Sequence, residues 1–120
     1  MIKSLGRLLL GAIFISGGAN TFINPDQRAV KVAKAGIPQA REATILNGAT
    51  MVVAGTALSL GIAPKLAATA LIATLIPTTF VGHPFWQEET PANRANQQIH
   101  FLKNMAMLGG LLFVLTDKDK

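Results

Sequence analysis

Four long apolar runs, separated by short polar intervals, dominate the chain. They cover residues 5–23, 43–63, 65–82 and 99–116. A helix rises about 1.5 Å per residue and needs roughly 20 residues to cross a hydrocarbon core of ~30 Å, so each run has about the length of one membrane span. The pattern therefore predicts an all-α membrane protein, a single domain over residues 1–120 in which four transmembrane helices form a bundle.

The ends of these runs carry helix-stop signals. Asn24 and Pro25 end the first run, and Pro64 divides the second run from the third. Because the connection at Pro64 is short, we expect the second and third spans to form an antiparallel helical hairpin. A basic N-terminal stretch followed by an apolar run also fits a secretory signal peptide, but no small-x-small cleavage site follows this run. We therefore expect the first run to remain on the protein as a span.

The composition supports a membrane environment and excludes several kinds of chemistry. Half of the residues are hydrophobic, and 14% are charged, against about a quarter in an average soluble chain. The chain has no cysteine, which excludes disulfides, iron–sulfur clusters, thiolate zinc sites and a covalent persulfide carrier. It has neither a glycine-rich nucleotide loop nor a Ser-His-acid arrangement. We expect no intrinsic cofactor, no metal site and no nucleic-acid partner.

The polar interval after the first span predicts a short amphipathic helix between the first two spans. Asn24 is a candidate N-cap, Pro25 suits the first helical position, and Gly36 provides a C-terminal stop. Basic residues recur every three positions along one flank, which is typical of a helix that lies in the membrane interface against lipid headgroups. The basic residues are Arg28, Lys31 and Lys34. The alternative is a solvated connecting helix with no lipid contact.

Small and polar residues inside the spans predict where helices pack. Helices in lipid approach one another through small residues and a few hydrogen bonds. The first span offers Gly11, Gly17 and Gly18, and the second offers Gly48 and Gly55. Amide side chains also lie deep in these two spans, and an amide in hydrocarbon needs a partner. The two amides, which we expect to face inward, are Asn20 and Asn47.

The segment from His83 to Asn104 is the most polar part of the second half. We expect a loop up to Gln97, followed by the first turns of the fourth span. Gln97, His100 and Asn104 fall at i, i+3 and i+7, so they share one helical face, with Lys103 on the adjoining flank. Together with His83, this face predicts a polar mouth at one end of the bundle.

Aromatic and acidic residues lie in the same loop. Phe85 and Trp86 resemble interface aromatics, which anchor a protein at the level of the headgroups. Glu88 and Glu89 are expected to pair with Arg94 or with the basic first loop, and such solvated pairs contribute about 0 to 1 kcal/mol.

The two histidines allow three interpretations. A bundle with two histidines invites a bis-imidazole haem, but both residues lie near the same end, rather than deep on opposing helices. A titratable ring at a polar mouth also suits contact with a quinone head group in proton-coupled chemistry. The third interpretation is a hydrogen-bonded structural histidine.

The stretch "GHPFWQEETPANRANQQIHFLKNMAMLGGLL" resembles the closing half of the DoxX family of small four-helix membrane proteins. The first half agrees through "NPDQ" after the first span and "AGIP" at residues 35–38. The resemblance implies a four-helix membrane fold. It also implies a redox role, because some members resemble the small membrane subunit of a thiosulfate:quinone oxidoreductase. Others are associated with redox-stress complexes alongside a sulfurtransferase and a superoxide dismutase.

Two hypotheses of function follow. In the first, the chain is an integral membrane subunit of a quinone-linked or oxidative-stress redox assembly, in a bacterial inner membrane. A quinone head group then binds at the polar mouth, while a partner protein performs the sulfur or oxygen chemistry. The mouth residues are His83, Gln97, His100, Lys103 and Asn104. In the second hypothesis, the chain is a structural or accessory subunit that packs against a larger membrane complex, and the mouth residues bury one another.

Overall fold

The chain folds into five α-helices in the part that the computed structural model describes, residues 1–83 and 85–117. The helices are α1 (Ile2–Ile23), α2 (Asp26–Lys34), α3 (Ala40–Leu60), α4 (Pro64–Gly82) and α5 (Pro91–Leu115), with a 3₁₀ turn at Phe85–Gln87 before α5. The four long helices are α1, α3, α4 and α5. By length and composition, the four segments that start with these helices are long and apolar enough to cross a membrane. The predicted four-helix membrane fold, with a short helix between the first two spans, is confirmed.

Helix α5 begins much earlier than the apolar run that predicted it. The run starts at residue 99, whereas the helix starts at Pro91. Thr90 caps this end, because its side-chain oxygen accepts a hydrogen bond from the backbone N–H of Asn93 at 3.2 Å. Proline suits the first helical position, where its missing N–H costs nothing. The expected loop is therefore too long, because its last seven residues, 91–97, belong to α5.

The connections around α2 and after α3 depend on left-handed residues. Gly36 has φ +85° and Gly61 has φ +72°, values that glycine adopts without a Cβ clash. After Gly61, the N–H of Ile62 donates to the carbonyl of Ala57 at 2.8 Å, which closes α3 with a Schellman-type turn. At the start of α2 the prediction was one residue out, since Pro25 occupies the N-cap position that Asn24 was expected to take.

Helices α1 and α3 touch through their backbones. A Cβ built on Gly18 would lie 2.7 Å from the carbonyl oxygen of Gly48, and a Cβ on Gly48 would lie 2.9 Å from that of Gly18. Gly11 and Gly55 repeat this reciprocal contact, at 2.7 and 3.2 Å. These four glycines confirm the predicted small-residue packing, whereas Gly17 makes only an ordinary contact with Met51.

The buried apolar core lies mostly on α3 and α4. It consists of Phe14, Met51, Ala54, Leu58, Ala67, Ala68, Leu71, Leu75 and Leu111. Helices α1 and α5 each contribute a single residue to that set, so they flank the central pair. They meet where α1 begins and α5 ends, since Lys3 forms an ion pair with Asp117 at 3.0 Å and Leu10 packs on Gly110.

The two amides in the first spans have different environments. Asn47 donates its side-chain N–H to Thr78 Oγ1 at 3.0 Å, which links α3 to α4 and confirms that it faces inward. Asn20 is exposed, so the inward prediction is wrong for it. Its side-chain oxygen instead accepts from Arg28 of α2 at 3.4 Å. Because α2 supplies this partner near the end of α1, Asn20 needs no place in the core.

Candidate functional site

The two histidines meet where α4 ends and α5 passes beside it. His83 directly follows the last residue of α4, and His100 lies on α5. Their imidazole rings stack with centroids 5.0 Å apart and planes inclined by 17°. Both rings are partly buried. The sequence placed both residues at one end of the bundle, and the structure brings them into direct contact.

Gln97 fixes the orientation of His83. Its side-chain oxygen lies 2.7 Å from Nδ1 of His83. An amide oxygen only accepts hydrogen bonds, so Nδ1 carries the proton that it donates to Gln97. In the neutral ring, Nε2 is then an acceptor. One edge of His83 is therefore held by the protein, and the other edge can accept a hydrogen bond.

Asn104 is buried between α5 and α4 and does not line the open part of the mouth. It is 3% exposed, and its side-chain N–H donates to Thr79 Oγ1 at 3.1 Å. Thr79 is itself fully buried and donates to the carbonyl of Leu75 at 2.7 Å. These bonds join α5 to α4 one helical turn below the histidine pair. Of the five predicted mouth residues, His83, His100 and Lys103 remain for contact with a ligand.

An aromatic cluster borders the histidine pair. Its rings contact one another with centroids 5.2–6.1 Å apart, mostly edge to face. The members are Phe80, Phe85, Trp86 and Phe101. Phe85 and Trp86 were predicted as interface anchors, and the structure places them together on Phe80 and Phe101. The sequence reasoning missed these last two, although Phe80 precedes His83 by three residues and Phe101 follows His100 directly.

The basic side chains of α2 attach this helix to the ends of the spans. Lys31 donates to the carbonyl oxygen of Gly82 at 3.0 Å, at the C-terminal end of α4. A cation at this end also interacts favourably with the helix dipole. Arg41 of α3 pairs with Asp26 of α2 at 3.1 Å. Arg28, Lys31 and Lys34 are all exposed, and their contact with lipid headgroups stays a prediction.

The acidic residues of the loop do not form the predicted ion pairs. Arg94 donates to the backbone carbonyl of Glu88 at 3.1 Å, and no ion pair joins it to Glu88 or Glu89 in the described part of the chain. Helix α5 already begins at Pro91, which turns Arg94 back toward the preceding loop. The interaction is therefore a helix-end contact to backbone.

The geometry of the histidine pair does not fit two axial ligands of one haem iron. Axial ligands point ring nitrogens at each other across the metal, whereas these rings face each other, and Nδ1 of His83 is engaged by Gln97. Within residues 1–83 and 85–117, no three side chains of His, Asp or Glu are grouped so that they could hold a metal ion.

Two concave surfaces lie away from the histidines. A groove of about 340 Å³ runs between α3 and α4, and its lining includes Leu46, Asn47 and Thr74. A more polar pocket of about 420 Å³ lies where α1, α2 and α3 meet, beside Asn24 and Arg41. The surface of the groove is mostly apolar.

Comparison with known proteins identifies a family and one similar membrane protein. The DoxX family model matches residues 2–84, which contain α1 to α4. An uncharacterised membrane protein of Mycobacterium tuberculosis, Rv3486, is 30% identical over 123 residues, covering 91% of this chain and 70% of that protein. No solved structure matches the chain. The family match ends before α5, which carries most of the residues on which the sequence resemblance was based.

Proposed function

Since this chain belongs to the DoxX family of membrane proteins, we propose that it is an integral membrane subunit of a quinone-linked redox assembly. In this proposal a quinone head group binds at the histidine pair, in a bacterial inner membrane. The proposal assigns the electrons to a partner protein, because the chain has no cysteine for an iron–sulfur cluster or a redox-active thiol. The observation that carries the proposal is the stacked imidazole pair, with one ring fixed by Gln97.

The site offers the groups that a quinone head group needs. Nε2 of His83 can accept a hydrogen bond from the hydroxyl of a reduced head group, since Gln97 holds the proton on Nδ1. His100 stacks on this ring and can act at a second oxygen of the same ligand. The adjacent aromatic cluster provides apolar ring surface for the flat head group. Lys103 is exposed at the rim, where its charge favours an electron-rich ligand.

Trp86 gives a direct test, because it is the only tryptophan in the chain and lies in the aromatic cluster. Quinones quench tryptophan fluorescence, so a short-chain quinone titrated into nanodiscs that hold the full chain should produce saturable quenching. We expect His83→Ala and His100→Ala each to weaken the apparent affinity by ~tenfold, or about 1.4 kcal/mol for a lost hydrogen bond.

The control is Lys65→Ala, at the opposite end of α4 and exposed. It should titrate like the wild type. Quenching that rises linearly without saturation, or that is equally saturable in the histidine variants, would contradict a quinone site at this position.

The second candidate function, an accessory subunit of a larger membrane complex, is supported by a different observation. Helix α5 buries only Asn104 and Leu111 among its described residues, while Phe113 is 80% exposed. The remaining apolar surface of α5 is available to lipid or to a neighbouring protein. Stoichiometric co-purification of a larger complex that is lost on Phe113→Ser, with quinone quenching unchanged, would favour this function.

A further inference from the structure

Basic side chains from two helices surround His83. Lys31 of α2 bonds to the carbonyl of Gly82, the residue before His83. His100 of α5 stacks on the imidazole, and Lys103 lies three residues further along α5, on a neighbouring flank. The nearest basic side chains from α2 and α5 are thus Lys31, held at Gly82, and Lys103, within one turn of His100. Cationic groups of α2 and α5 thus converge at the end of α4.

This positive charge is not balanced by neighbouring carboxylates. In residues 1–83 and 85–117, the ion pairs are Lys3 with Asp117 and Arg41 with Asp26, and neither involves Lys31 or Lys103. Lys31 Nζ is held at Gly82 and Lys103 lies within one turn of His100 on α5, so an anion bound on this side of His83 would be attracted by both charges. Lys31 uses one of its three donors on Gly82, and the others stay available.

The surface beside these cations is apolar and exposed. Ile99 and Leu102 of α5 are 65% and 57% exposed, and Ile99 shares a helical flank with Lys103 at i and i+4. On the α4 side, Phe80 and Trp86 are half-exposed. A cationic site bordered by exposed apolar side chains suits an amphiphile with an anionic head more than a soluble anion. Aromatic residues of this kind are typical of the headgroup level of a bilayer.

We propose that Lys31 and Lys103 bind the phosphate group of an anionic phospholipid, whose acyl chains lie against the exposed apolar flank of α5. Helix α2 packs on α3 and α4. The lipid phosphate would therefore link α2 to α5 across the end of α4. The lipid proposal shares Lys103 with the quinone proposal, but it uses the ammonium groups and not the imidazole nitrogens, so His83→Ala and His100→Ala should leave the lipid preference unchanged.

The test measures lipid retention by the full chain. The protein is equilibrated in micelles that contain equal amounts of phosphatidylglycerol and phosphatidylcholine, and bound lipids are counted by native mass spectrometry. The wild type should retain phosphatidylglycerol preferentially. Lys103→Ala should lower that preference about fivefold, and Lys31→Ala with Lys103→Ala should abolish it. Arginine at both positions should preserve it, because the positive charge and the hydrogen-bond donors remain.

The matched control is Lys3→Ala with Lys65→Ala, which removes the same charge from exposed positions on α1 and α4, at the opposite end of the bundle. It should keep the preference. Equal losses in the control and in the Lys31 and Lys103 variant would overturn the proposal, since they would reflect net charge alone. Displacement of the lipid by inorganic phosphate would also overturn it, because the site would then take a free anion.

Discussion

A Gly18→Ala substitution is expected to lower the free energy of unfolding by about 1–3 kcal/mol, the range for overpacking a close-packed interior. The added Cβ would lie 2.7 Å from the carbonyl oxygen of Gly48 and 2.7 Å from Cβ of Met51. Neither atom is the end of a flexible side chain, so α1 and α3 must move apart. The measurement is denaturation by SDS in mild-detergent micelles, followed by circular dichroism.

The control is Gly109→Ala on α5, where an added Cβ meets no atom within 4 Å. Alanine is the better helix former by about 1 kcal/mol, so this variant should be as stable as the wild type or more stable. If Gly18→Ala proved as stable as Gly109→Ala, the backbone contact between α1 and α3 would be refuted. The same comparison separates helix propensity from interhelical packing.

An Asn104→Asp substitution should cost about 2.5–3.5 kcal/mol, the range for a carboxylate within a membrane-spanning helix. The side chain is 3% exposed and donates to a buried threonine, Thr79, at 3.1 Å. A carboxylate of the same shape cannot donate that bond and must lose its hydration. Asn104→Leu should cost less, about 0.6–2 kcal/mol, because it removes only the interhelical hydrogen bond. The same denaturation experiment measures both variants.

Asn96→Asp supplies the comparison, since Asn96 is exposed on the same helix. We expect a change within about 0.5 kcal/mol for this surface position. Equal stability of the Asn104→Asp and Asn96→Asp proteins would mean that water reaches Asn104. The polar mouth would then extend a full turn further into the bundle than the packing of Asn104 on Thr79 indicates.

The membrane fold was predictable from the sequence because hydrocarbon thickness imposes a length that apolar runs reveal directly. Helix boundaries were less predictable where a helix continues beyond the apolar run. The start of α5 is the clearest example, since Thr90 and Pro91 are cap signals placed in a polar stretch that hydropathy assigns to a loop. Asn20 shows another limit: a polar residue in an apolar run indicates that a partner exists, and not which helix supplies it.

The sequence predicted which residues lie near the candidate site, but not which side chains contact one another there. The spacing of Gln97, His100 and Asn104 placed them on one face of a helix, and α5 contains all three. Their partners differ, because Asn104 bonds to Thr79 of α4, whereas Gln97 and His100 contact His83, the residue after α4. The path of the chain between α4 and α5 determines which of these residues meet, and a local sequence pattern cannot predict that path.

The sequence pattern also could not predict that Lys31 bonds to the end of α4. The repeat of basic residues on α2 correctly indicated an amphipathic helix, but it treated all its cations alike. In the structure, Arg28 bonds to a side chain of α1 and Lys31 to the end of α4. The helix is therefore attached across the ends of the spans, next to the histidine pair.

Photolabelling tests most directly whether a quinone head group binds at the end of the bundle between α4 and α5, as we propose. A photoreactive quinone analogue is irradiated with the full chain in nanodiscs, and the labelled peptides are mapped by mass spectrometry. We predict that the label falls within residues 83–104 and that excess unlabelled quinone prevents it. A label confined to the groove between α3 and α4, within residues 43–50 and 70–74, would contradict the claim, as would labelling that unlabelled quinone does not reduce.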